Sequence, residues 1–115
     1  APCHVVLINY LADHCDYFTN TVHSNRVERK TFIDFCKKYC NKVYQDDTVK
    51  KAFATLTKNG LLLSYQGKSV HTVNPRYYYR ADEVKRRELL QDLCNYAVTM
   101  TGDKAKRIKK SLGFK

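Results

Sequence analysis

The chain has 115 residues, 43% of them apolar and 12% aromatic, enough for one packed core and too few for two. Its 21 Lys and Arg outweigh 11 Asp and Glu, and the resulting net charge of +10 suits a polyanionic partner. No stretch approaches the roughly 20 apolar residues of a membrane span, and the segment from Val5 to Leu11 lacks the basic flank of a signal peptide. The sequence therefore predicts a soluble, intracellular protein with no membrane partner.

Helical spacing begins at His4 and predicts a first helix to about Phe18, with Val5, Ile8, Leu11, Ala12 and Cys15 inward. Thr19 to Asn25 is a polar, β-branched link with the composition of a short strand. The period resumes from Arg26 to about Cys40 through Val27, Phe32, Phe35, Cys36 and Tyr39, placing Arg29, Lys30, Lys37 and Lys38 outside. Asn41 to Gln45 then reads as the turn of a helix-turn-helix.

From Asp46 the spacing of Val49, Phe53, Leu56 and Gly60 draws one apolar stripe, with Asp46 or Asp47 placed to cap the helix and Gly60 to end it. Opposite that stripe lie Asp47, Lys51, Ala54, Thr55 and Lys58, with Lys50 at the edge. Leu61 to Tyr65, the turn Gln66-Gly67-Lys68 and Ser69 to Asn74 follow as strand, turn and strand, ended by Pro75. A second helix running straight into such a hairpin predicts a mainly α fold with a small β-hairpin, the winged helix-turn-helix, with Lys68 at the wing tip.

Asp82 is placed to cap a further helix from Glu83 to about Met100, with Val84, Leu89, Leu90, Leu93, Cys94 and Ala97 inward. Gly102 breaks it, giving a winged-helix domain over 1–102 and a basic tail over 103–115. Six basic residues of that tail surround only Ala105, Ile108 and Leu112, too few apolar groups to predict firm docking, so the tail reads as mobile.

Chemistry is sparse. The four histidines are isolated, and no paired carboxylates, phosphate loop or nucleophile elbow occurs, so the reading is a non-enzyme without cofactor. Asp13, His14, Cys15 and Asp16 form the one chemical-looking cluster, which a helix surface explains as well. The five cysteines lack a C-x-x-C knuckle and read as reduced thiols, with no metal ligand assigned, although Cys36 and Cys40 share a helix face. Tyr77, Tyr78 and Tyr79 could stack on unpaired bases, but a run of this kind favours packing for Tyr78, leaving Arg76 and Arg80 to meet phosphates.

Asn74-Pro75-Arg76-Tyr77-Tyr78-Tyr79-Arg80, followed by Asp82, Lys85, Arg86 and Arg87, resembles the Asn-Pro-x-Tyr/Phe-x-Lys/Arg segment that closes the winged helix of RepL-type plasmid replication proteins. Thr48-Val49 and Leu56-x-x-x-Gly60-Leu61 extend the similarity over roughly Val5 to Leu93, while Ala81 stands where that family usually has glycine. The resemblance implies DNA binding in plasmid or phage replication initiation, without catalysis by the domain itself.

The expected interface thus comprises Lys50, Lys51, Thr55 and Lys58 on the recognition helix, Lys68 on the wing, Arg76 and Arg80 after it, and Lys106, Arg107, Lys109 and Lys110 in the tail. Its partner is DNA, duplex before single strand or RNA, in replication or transcription of a plasmid, phage or viral genome. A homodimer is left open, and the competing reading is an RNA-binding or protein-interaction module.

Overall fold

The computed structural model describes residues 1–64 and 69–114, so the expected wing turn with Lys68, and Lys115, lie outside the described residues. Among the described residues, five α-helices and three short strands follow the order α1 (Cys3–His14), β1 (Thr21–His23), α2 (Arg26–Phe35), α3 (Asp46–Lys58), β2 (Leu62–Leu63), β3 (Val70–Val73), α4 (Glu83–Val98) and α5 (Asp103–Ser111). The fold is mainly helical with a small antiparallel sheet. The polar link after α1 supplies β1, so the expected two-stranded hairpin is one part of a three-stranded sheet ordered β1-β3-β2.

Register divides that sheet into two faces. Val22 lies opposite His71 and Leu62 opposite Val73, while Thr21, Thr72 and Leu63 align on the other side. The first face closes over the main core, where Leu7, Ile8 and Leu11 of α1 meet Phe32 and Val49, Ala52, Phe53 and Leu56 of α3. On the second face, Leu63 joins Leu93 and Ala97 of α4 and Ile108 and Leu112 at the end of the chain.

Helix α3 ends as its sequence predicts. Gly60 adopts φ +78°, its N–H donates to Thr57 O, and Leu61 N–H donates to Leu56 O at 3.0 Å, a Schellman closure that satisfies the last carbonyls. Its start differs: Gln45 occupies the N-cap without a side-chain bond, and Asp46 and Asp47 sit in the first turn, where their charge favours the helix dipole. Asp82 does cap α4, accepting from Lys85 N–H at 2.8 Å.

Several residues expected inside face solvent. Helix α1 stops at His14, four residues short of the expected end, and its core contact runs through Leu7, Ile8 and Leu11, which turns Val5 outward. Helix α2 continues as one π-helical turn, Cys36–Cys40, whose wider winding rotates Tyr39 out to 67% exposure. Val27 and Val84 lie in the first turns of α2 and α4, beyond the packed parts of those helices, and are likewise exposed.

The tail is the largest correction. Residues 103–111 form a helix, and Ala105, Ile108 and Leu112 are all buried, at spacings that align one apolar face against α4 and Leu63. Three apolar residues suffice because the surface receiving them was already assembled from distant parts of the chain.

Candidate nucleic-acid interface

Helix α3 buries its stripe and presents the opposite face. Lys51 and Lys58 are exposed and form no ion pair among the described residues, whereas Lys50 reaches back one turn to Asp46 at 3.8 Å. Thr55 is half-buried and its hydroxyl donates to Lys51 O at 3.0 Å, which leaves it lone pairs for an incoming donor.

Beside the start of α3, a cleft of about 400 Å³ is lined by Arg26, Arg29, Lys30, Ile33, Asp46 and Lys50. Arg29 chelates Asp46 through Nε at 2.8 Å and Nη2 at 3.3 Å, and donates from Nη1 to Ser24 O at 2.7 Å. The Arg29 hydrogen bond, followed by the charges of Arg29 and Lys50, holds the Asp46 carboxyl below its ordinary range. Asp46 is thus an ionised anchor that fixes Arg29, and Arg26 and Lys30 are left as cations without an ion-pair partner among the described residues. The helical period puts Arg29 and Lys30 outside, and neither belongs to the interface expected from the sequence. The signal was present in the 26-29-30 spacing, which puts three cations on one face of α2.

Arg76 and Arg80, expected to meet phosphates, are exposed and also reach helix ends. Arg76 Nη1 donates to Ser111 O, in the last residue of α5, at 3.0 Å. Arg80 Nη2 donates to Cys15 O at the end of α1, and its guanidinium also lies over the Tyr17 ring at 5.5 Å. Each cation meets the negative end of a helix dipole, a structural use that competes with phosphate binding. Tyr78 packs on the main core, Tyr79 donates to Phe18 O at 3.1 Å, and Tyr77 stays exposed beneath Arg76.

Docking of α5 fixes the tail cations. Lys106, Arg107 and Lys110 are exposed, while Lys109 is half-buried with Nζ donating to Met100 O at 3.3 Å. Lys104 and Arg107 line a pocket of about 200 Å³ with Thr57, Leu62, Ser64 and Ile108, at the far end of α3.

Behind Ser64 lies His71, enclosed between two hydroxyls, with Nδ1 at 2.7 Å from Ser64 Oγ and Nε2 at 2.8 Å from Ser24 Oγ. Burial, reinforced by the charges of Lys104 and His23, lowers its pKa and keeps the ring neutral. The cysteines are all free, and burial pushes the Cys36 thiol up to about 11, with Cys40 adding to the rise. Among the described residues no group of three or more His, Cys, Asp or Glu is placed to hold a metal ion. Nor is any helix among them long and apolar enough to cross a membrane.

Comparison of the chain with protein-family models, with curated proteins and with solved structures yields no match. The function therefore rests on the residues themselves.

Proposed function

We propose that the chain is a winged-helix DNA-binding module in which α3 enters the major groove and the β2–β3 hairpin lies along the backbone. The observation that carries this reading is the order α1-β1-α2-α3-β2-β3 with strand order β1-β3-β2, together with the exposed lysines on the outer face of α3. A net charge of +10 adds the long-range attraction that a polyanion requires. The likeness of Asn74 to Arg80 to RepL-type proteins directs the same reading toward replication initiation of a plasmid, phage or virus.

Fluorescence anisotropy on labelled duplex DNA tests it. Neutralising six or more phosphates makes affinity fall roughly 10³-fold or more between about 50 and 200 mM salt. Absence of binding, or a response flat in salt, removes nucleic acid from the reading.

A further inference from the structure

The two basic recesses described above lie at opposite ends of one side of α3. Lys50, in the cleft with Arg26 and Lys30, and Thr57, in the pocket with Lys104 and Arg107, are seven residues apart. That spacing is close to two helical turns, so both residues project from the same flank, about 10 Å apart along the axis. Cations line each recess, and neither Lys104 nor Arg107 forms an ion pair among the described residues. Beyond charge, the pocket offers Ser64 Oγ, which can donate to an anion when His71 donates to it from Nδ1, whereas the Thr57 hydroxyl already donates to Phe53 O at 2.9 Å.

Helix α5 is not free to adjust this spacing. Its Ile108 and Leu112 are buried beside Leu63, and its last carbonyl is held by Asn74 and Arg76. Lys104 and Arg107 are therefore fixed relative to α3, which turns a general basic tail into a defined contact.

We propose that the α3–β2–α5 pocket is a seat for a backbone phosphodiester, paired with the α2–α3 cleft as a second seat, so that the two hold one flank of α3 along one wall of a duplex groove. This rests on the DNA-binding reading above and gives it a substrate class, double-stranded nucleic acid. Along one wall of a duplex, the phosphates of a strand follow at a fixed rise of about 3.4 Å along the axis. A single strand would have to be ordered into that separation at an entropic cost, and so gains less from having both seats.

The test uses the whole chain and two double variants that keep most of the side-chain stem, Lys104→Gln with Arg107→Gln and Arg26→Gln with Lys30→Gln. All four residues are exposed, and far-UV circular dichroism melts confirm that each variant keeps its fold. Binding to a duplex of about 20 base pairs and to one of its strands is measured against salt. Losing the one phosphate contact of a seat lowers the salt slope by about 0.9 and the duplex affinity about 5-fold near 0.15 M salt, and each double variant is expected to do this, with a smaller loss on the single strand. An unchanged slope for the α5 variant alongside a reduced slope for the α2 variant overturns the α5 seat and leaves DNA binding standing. Equal losses on duplex and single strand overturn the duplex assignment. If the unaltered chain binds neither, the DNA-binding reading itself has failed.

Discussion

The carboxamide of Asn74 lies against Gly60 and donates to its carbonyl at 2.9 Å, at the point where α3 turns into β2. The same nitrogen donates to Ser111 O at 3.0 Å, and Oδ1 accepts from Arg76 N–H at 3.0 Å. One fully buried side chain thus joins the end of the proposed recognition helix, the end of α5 and the turn that follows the hairpin. Replacing it by alanine takes the side-chain partner from Gly60 O and from the Arg76 N–H and leaves Ser111 O with the Arg76 guanidinium alone. Asn74→Ala is expected to cost about 2–4 kcal/mol, a fall in Tm of roughly 10 °C, and a thermal melt within about 2 °C of the parent would refute this role.

Gly60 is constrained twice. Its φ of +78° disfavours a side chain, and a Cβ there would stand 2.5 Å from Ser111 Oγ and 3.0 Å from Ser111 Cβ. Gly60→Ala should therefore destabilise by about 1–3 kcal/mol, and Ser111→Gly in the same chain should recover part of that loss by removing the clash. A double variant no more stable than Gly60→Ala alone would leave the backbone angle as the whole cause.

Much of this was legible along the chain and some of it was not. The stripe of α3, its stop at Gly60, the strands flanking 65–68 and the Asp82 cap are local patterns, and local patterns survive without knowledge of the fold. The docking of α5 was hidden because Ile108 and Leu112 take their meaning from Leu63, Leu93 and Ala97, which only the folded chain assembles. Likewise the contacts of Arg76 and Arg80 with carbonyls 35 and 65 positions away could not be read from the chain, because only the fold brings those carbonyls near. The π-helical turn at Cys36–Cys40 shifts the register of everything after it on that helix, which explains the misplacement of Tyr39.

Arg80 separates the two uses of a cation. As a cap on Cys15 O it should matter to stability, so Arg80→Gln is expected to lower stability by about 1 kcal/mol while leaving the salt slope of DNA binding unchanged. A slope reduced by about 0.9 with an unchanged melt would return Arg80 to the phosphate contacts.

His71 links stability to pH. Its pKa in the folded chain is lowered from 6.5, chiefly by burial and then by Lys104 and His23, so the unfolded chain binds the proton first. The stability it contributes is complete above about pH 6.5 and is lost as pH falls through the folded value. Urea denaturation between about pH 5 and pH 7.5 should show this fall, and His71→Gln should flatten it. A parent whose stability rises on acidification over that range would contradict a neutral, buried His71.

Removal of residues 103–115 distinguishes a docked helix from a mobile tail. Helix α5 buries Ala105, Ile108 and Leu112 and covers Leu63, Leu93 and Ala97, so its loss exposes apolar surface on both sides of the contact. Burial of an Ile and a Leu alone is worth about 3–6 kcal/mol, much of the stability of a domain of this size. Truncation after Gly102 should therefore lower Tm sharply and increase binding of a hydrophobic dye, whereas a mobile tail would leave both nearly unchanged.

The outer face of α3 carries the last prediction, because reading a sequence and gripping a backbone leave different signatures. Lys51 projects from the middle of that face, and Lys58 from its far end, both exposed. In a helix lying in the major groove, the middle of the outer face meets base edges and the ends meet phosphates. Lys51→Ala is therefore expected to change the preferred sequence selected from a randomised duplex pool, with about 1–3 kcal/mol of discrimination lost at the base pair it contacts. Thr55→Ala should change it less, since the hydroxyl proton is already given to Lys51 O and only its lone pairs face outward. Arg26→Gln with Lys30→Gln, by contrast, should weaken every duplex alike and leave the selected sequence as it was. A pool in which Lys51→Ala and the parent select the same sequence would move base recognition off α3, whatever the total affinity.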